Sequence, residues 1–332
     1  MTSTEMIVFV TLRQSLRDRF FTAELVDQLE DIATVRWYDG NHNLDRETLI
    51  EQIDDVHVLV TGWGSPTVDE TVLDHAPHLE LILHTGGSVA NYTTDAMYEK
   101  GITVCSANRP MARFVAECTL GHMIAGQRDF VRVHEAIRGG GYERYSPNRS
   151  LIGASIGLVG LGTIGRYLLP LLAPFDVSVQ VYDPYVPPAQ LTEYSFVEKA
   201  TLEDTLENDI VSVHAARTPE TRGMIGEAEL AMIPDGALLV NTARAHIIEE
   251  QPLIDTLQSG RIRGALDVYH EEPLPEESPL RNIDTVHLTP HIAGGGPRDV
   301  LTSALINDLE RYAVGEALQH EIPQSQAVKM TQ

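Results

Sequence analysis

Three polar residues stand just beyond predicted strands, where a buried apolar core has no use for them. Arg244 follows VNTA, Glu272 follows ALDVYHE, and His291 lies in LTPHIAGGG. In open parallel sheets the loops at the carboxyl ends of strands collect in one crevice, so the three can meet. Taken singly, the arginine reads equally as a surface cation and the histidine as a satisfied structural residue. As a set they suit one reaction, the reduction of a 2-oxo acid. A guanidinium grips a carboxylate through two parallel hydrogen bonds, each contributing roughly 1.5–3 kcal/mol. An imidazole titrates in the range needed to protonate a carbonyl oxygen, and a neighbouring carboxylate favours its charged form. In reverse, the neutral ring takes the hydroxyl proton while hydride leaves.

Such a reaction needs a hydride carrier, and residues 154–183 supply its expected cradle. An apolar run at 156–159 stops at Gly160, Gly162 and Gly165 in G-x-G-x-x-G spacing. Gly160 serves the tight turn, Gly162 the approach of a pyrophosphate, and Gly165 close packing of the following helix. The helix start presents unpaired N–H groups and a positive dipole end. The next strand, 177–182, ends on Asp183, placed to accept hydrogen bonds from a ribose. A carboxylate there repels a 2′-phosphate, and no arginine immediately follows, so NAD is favoured over NADP. Pro170 fits poorly, because inside a helix it removes a hydrogen bond and should kink or shorten it.

The positioning elements follow from hydropathy patterning. Short apolar strands at 6–10, 35–38, 56–61, 79–83 and 102–105 alternate with amphipathic stretches such as 20–32, a rhythm that predicts a first parallel α/β unit. Its glycine loops, Thr61-Gly62-Trp63-Gly64 and Thr85-Gly86-Gly87-Ser88, read on spacing alone as chain reversals. A long helical pattern from Arg113 to Arg138, closed by three glycines, links it to a second unit. That unit continues with strands at 209–214, 237–241, 264–268 and 286–288, and a helix at 299–312 precedes a polar tail.

Composition bounds the partners. The 332 residues suffice for two cores. Lys+Arg of 24 against Asp+Glu of 48 gives a net charge of −24, which repels nucleic acid and anionic membrane. Only Lys100, Lys199 and Lys329 are lysines, so the positive charge is nearly all arginine. Adaptation to a saline environment, where screening blunts self-repulsion, and simple solubility both account for this acidity. No apolar run approaches the roughly 18 residues that span a bilayer, and MTSTEMIVFV lacks the basic region of a signal peptide. A cytoplasmic protein is expected. Cys105 and Cys118 have neither paired spacing nor a ligand cluster, so free thiols and no metal are expected. The triplets Asn91-Tyr92-Thr93 and Asn148-Arg149-Ser150 read as coincidental glycosylation matches.

Four blocks in order, GLVGLGTIG, VNTARAHIIEE, ALDVYHEEP and LTPHIAGG, resemble the D-isomer-specific 2-hydroxyacid dehydrogenase family over most of the chain from about Leu79. The resemblance implies a doubly wound Rossmann domain at 107–299 and a flavodoxin-like substrate domain at 1–106 and 300–332, with the active-site cleft between them. It implies that Arg244 binds substrate, that His291 is the acid/base paired with Glu272, and that Gly86, Gly87 and Ser88 receive the substrate carboxylate. Thr163 and Ile164 would meet the pyrophosphate, His214 the adenine side, Thr242, Ala243 and Asp267 the nicotinamide side, and Gly294 the cofactor. Trp63 would shape the substrate pocket or pack into the core. Family members are commonly homodimers through the dinucleotide domain.

This chain departs from the family pattern at several positions. Ala245 replaces a usual glycine, Glu249 a usual aspartate and Met111 a frequent asparagine, and the H-x-P motif reads His214-Ala215-Ala216. Together with Arg109-Pro110, Met111 leaves substrate choice open. Formate dehydrogenases of the family pair the histidine with glutamine, so Glu272 speaks against that branch. An NAD-sensing corepressor also keeps the dyad; long disordered flanks would favour it, and turnover would decide.

Overall fold

Runs of three to five largely apolar residues bounded by polar turns become the strands of two wholly parallel sheets. In this computed structural model, residues 6–142 and 149–330 are described. The N-terminal five residues and Asn148 of the second glycosylation match lie outside them. By contact density the chain forms two compact units, one of Met1–Met111 with Gly295–Gln332, the other of Ala112–Gly294.

The first unit holds β1 (Ile7–Val10), β2 (Thr34–Trp37), β3 (Val58–Thr61), β4 (Leu81–His84) and β5 (Thr103–Ser106) in the order β2-β1-β3-β4-β5. This is the flavodoxin-like winding. β3 and β4 are buried along their whole length, as expected of strands covered on both faces. Phe9, Leu49, Leu59, Ile82, Met97 and Val104 belong to its core.

The second unit holds β6 (Ser155–Val159), β7 (Ser178–Tyr182), β8 (Val197–Lys199), β9 (Ile210–Val213), β10 (Leu238–Asn241), β11 (Arg263–Leu266) and β12 (Val286–Leu288). Their order, β12-β11-β10-β9-β6-β7-β8, is the doubly wound dinucleotide arrangement with one further edge strand. The two-residue period of a strand divides its side chains between two cores. Ile156, Leu158, Leu238 and Val240 enter one, and Val159, Val211, Val213 and Leu239 the other.

Two helical expectations need correction. The stretch 20–32 starts on the last residue of one helix, Gln14–Phe20, and continues as a second, Ala23–Ile32, which Thr22 caps by accepting the Leu25 N–H at 3.4 Å. The pattern from Arg113 to Arg138 is likewise two, Asn108–Arg128 and Phe130–Arg138, broken at Asp129. Asp129 takes a left-handed φ of 52° and its buried carboxylate accepts Arg132 Nε at 2.7 Å. The helix that holds Pro170 runs Thr163–Leu172, ending two residues past the proline and tightening into a 3₁₀ turn at Ala173–Phe175. No helix among the described residues is long and apolar enough to cross a membrane.

Candidate active site

The glycine turn after β6 shows three glycines under three different constraints. Gly160 has φ +96°, and a Cβ there would stand 2.6 Å from Ala215 N, so no side chain fits. Gly162, the cap of the Thr163–Leu172 helix, would direct a Cβ into space with nothing within 4 Å. Gly165 lies close against Leu161, whose Cδ1 would be 3.0 Å from an added Cβ. Thr163 and Ile164 open the helix, both partly exposed.

Asp183, one residue past β7, reaches over this turn. Its Oδ2 accepts the Leu161 N–H at 2.8 Å and its Oδ1 the Tyr185 N–H at 2.9 Å. His214, just past β9, is buried, with Nε2 2.9 Å from Ser212 Oγ and Nδ1 enclosed without a partner. Burial pushes its pKa down to about 4, so the ring is neutral. An open approach at Gly162, an acid across the turn and an orphaned imidazole nitrogen fit a dinucleotide.

The loop beyond β12 carries His291 in a left-handed conformation, φ 52°. Its Nδ1 lies 2.7 Å from Glu272 Oε2, and Glu272 Oε1 accepts the Tyr269 N–H at 3.0 Å. Burial alone would raise the Glu272 pKa. The His291 hydrogen bond, the Tyr269 amide and the charges of His291 and Arg244 outweigh it and hold the carboxyl below its ordinary range. Arg244 lies in the loop after β10, where Nη1 donates to Ala243 O at 2.7 Å. Burial and the nearby Arg217 lower its pKa, opposed by the charge of Glu272. Asn241, which no spacing singles out, shapes this loop from both sides. Its Oδ1 accepts the Ala243 N–H and its Nδ2 donates to Arg244 O. Thr242 is buried with Oγ1 2.8 Å from Thr119 Oγ1.

Asp267 is fully buried. Its Oδ1 accepts Thr289 Oγ1 at 2.5 Å and Ile292 N at 2.9 Å, and its Oδ2 accepts Ala293 N at 2.7 Å. The carboxylate therefore fastens the loop that bears His291, a task no local pattern discloses. Gly294 follows, partly exposed.

The remaining sequence candidates cluster in the first unit, in the loops after β3 and β4. A Cβ on Gly86 would stand 2.5 Å from His84 Nε2 and 3.1 Å from Trp63 Nε1, and one on Gly87 would stand 3.2 Å from Met111 Sδ. Ser88 Oγ accepts the Ala90 N–H at 3.3 Å. Trp63 is 40% exposed, with Phe20 at its edge and the Arg298 guanidinium 4.8 Å from its ring centre. It is thus neither a core residue nor a bare one. His84 was not foreseen: it is buried on Thr61 Oγ1 at 2.9 Å, and burial pushes its pKa down to about 3.

Residues 120–293 match the family model described as D-isomer specific 2-hydroxyacid dehydrogenase, NAD binding domain. A D-3-phosphoglycerate dehydrogenase of Mycobacterium leprae is 34% identical over 273 residues, covering 81% of this chain and 50% of that protein. The chain thus spans half the length of that relative. A hydroxypyruvate reductase of Thermotoga maritima is 32% identical over 258 residues, 76% of this chain and 82% of the reductase. The crystal structure of a glyoxylate reductase from Paecilomyes thermophila superposes with a TM-score of 0.79 at 25% identity, covering 97% of this chain and 99% of that one.

Proposed function

Because the chain belongs to the D-isomer-specific 2-hydroxyacid dehydrogenase family and carries its NAD-binding domain, we propose that it interconverts 2-oxo acids and D-2-hydroxy acids by hydride transfer with NAD. The observation that carries the reading is the 2.7 Å contact between His291 Nδ1 and Glu272 Oε2. Bonding through Nδ1 leaves Nε2 as the atom that exchanges a proton with substrate. In reduction, Nε2–H protonates the carbonyl oxygen as Glu272 stabilises the charged ring; in oxidation, neutral Nε2 takes the hydroxyl proton. NAD, when bound, donates or accepts the hydride.

Arg244 holds the substrate carboxylate and carbonyl, its guanidinium directed by the Ala243 carbonyl. The amides of Gly86, Gly87 and Ser88 receive the carboxylate in this reading, and Trp63 borders the substrate. Gly160, Gly162, Gly165, Thr163 and Ile164 accommodate the pyrophosphate, Asp183 the ribose and His214 the adenine side. Thr242, Ala243 and Gly294 border the nicotinamide. A carboxylate offers about four acceptor directions, and three at Asp267 are taken, so its role toward the carboxamide uses the fourth.

A homodimer is part of the proposal. The helix Phe130–Arg138 has no buried residue and exposes Phe130, Val131 and Ile137, an apolar face that a second copy would cover. Two unpaired thiols suit the reducing cytoplasm.

The test is an NADH and NADPH consumption screen with glyoxylate, hydroxypyruvate, pyruvate, phenylpyruvate and longer 2-oxo acids. NADH oxidation with at least one of them, faster than NADPH oxidation, is expected. Absence of turnover with all of them overturns the reading.

A further inference from the structure

We infer that His122 is a positioning residue for the acid/base loop, acting through Thr289 and Asp267 on His291; the inference rests on the role proposed for His291. A non-glycine residue at φ 52° persists only where its surroundings over-determine it. Here they do so on both sides. His291 N donates to Thr289 O at 3.1 Å, and the next two amides, of Ile292 and Ala293, donate to the two oxygens of Asp267.

Thr289 joins this clamp to the long helix Asn108–Arg128. Its hydroxyl proton is committed to Asp267 Oδ1 at 2.5 Å, so toward His122 Nε2, 3.3 Å away, the oxygen can only accept. His122 must therefore carry its proton on Nε2. Burial lowers its pKa, opposed by the charge of Asp267, so the ring stays a neutral donor near pH 7. The relay converges on Asp267: His122 Nε2–H donates to Thr289 Oγ1, whose O–H donates to Asp267, which also accepts the amides that follow His291. Removing the first donor leaves the part-buried Thr289 Oγ1 short of a partner and free to turn from Asp267, which loosens the backbone that aims the imidazole.

His122→Phe deletes the donor and keeps an aromatic ring; His122→Gln keeps an N–H; Thr289→Val removes the middle hydroxyl. Amide hydrogen exchange at Ile292 and Ala293 is measured first, because it needs neither cofactor nor substrate. His122→Phe and Thr289→Val are expected to speed it about threefold or more, with β10 and β11 amides unchanged. In turnover, kcat of both variants falls about tenfold. The NADH Kd stays within about twofold, and His122→Gln recovers most of both effects. Unchanged exchange at Ile292 and Ala293 overturns the proposal. So does an equal loss in His122→Phe and His122→Gln accompanied by faster exchange in the core strands, which is the signature of packing alone. If the unmodified protein reduces no 2-oxo acid, the functional reading fails, and the exchange data still decide whether the relay holds the loop.

Discussion

His291 Nδ1 and Glu272 Oε2 are 2.7 Å apart, although 19 residues separate them in the chain. In the acid/base role proposed for His291, the pairing turns Nε2 toward substrate and keeps a negative charge behind the imidazolium of the oxidative direction. Since Tyr269 N also holds Glu272, the carboxylate is oriented before anything binds.

The glycine turn separates folding from binding. Gly162→Ala adds a methyl that meets nothing within 4 Å, so stability should change by less than about 0.5 kcal/mol. The same methyl would occupy the approach assigned to the pyrophosphate, and NADH Kd should rise about tenfold or more. Gly160→Ala, by contrast, forces Cβ into the Ala215 backbone at φ +96° and should destabilise by about 1–3 kcal/mol or more. Urea unfolding and NADH fluorescence titration measure the two effects.

Asp308 gives a signed pH prediction. It is buried on the helix Arg298–Val314 and accepts Gln319 N, His320 N and His320 Nδ1 at 2.8–2.9 Å. Burial would raise its pKa, but these hydrogen bonds and the His320 charge outweigh it and hold it below the ordinary value. A depressed folded pKa contributes stability that is complete above the unfolded pKa and is lost as pH falls through the folded one. Asp308→Asn should therefore cost roughly 1.5–3 kcal/mol at pH 7, and the gap should close below about pH 4. Denaturation of both proteins across pH 3–7 checks this.

The acidic surface predicts a salt response. At a net charge of −24, screening that shortens from about 10 Å at 0.1 M to about 3 Å at 1 M relieves self-repulsion. The thermal midpoint should rise as sodium chloride goes from millimolar to molar. A steady fall would remove the saline-environment reading and leave solubility as the account.

Met111 touches the loop assigned to the substrate carboxylate, since a Cβ on Gly87 would lie 3.2 Å from its sulfur. Met111→Asn should alter the ratio of kcat/KM between glyoxylate and phenylpyruvate about tenfold. An unchanged ratio would show that the thioether plays no part in selection.

Much of the site was legible because its members sit at strand ends in blocks a reader can recognise. The glycine turn, Asp183, Arg244, Glu272 and His291 all fall there. What escaped depends on distant partners. The break at Asp129 comes from a left-handed residue that hydropathy periodicity does not register, and β8 is a three-residue edge strand with too little apolar character to show. The hydrogen bonds of Asp267 run to Thr289, Ile292 and Ala293, more than twenty residues on, which no local pattern discloses. His84 and His122 carry no local pattern, because the hydroxyls they meet come from other elements.

The most direct test compares His291→Ala and Arg244→Ala with the unmodified protein in NADH-dependent reduction of the best 2-oxo acid, alongside NADH binding. Each variant is expected to lose about 10²-fold or more in turnover while binding NADH within about threefold of the original, since neither residue is assigned to the dinucleotide. Near-native turnover in either would contradict the role given to that residue, and near-native turnover in both would contradict the acid/base account itself.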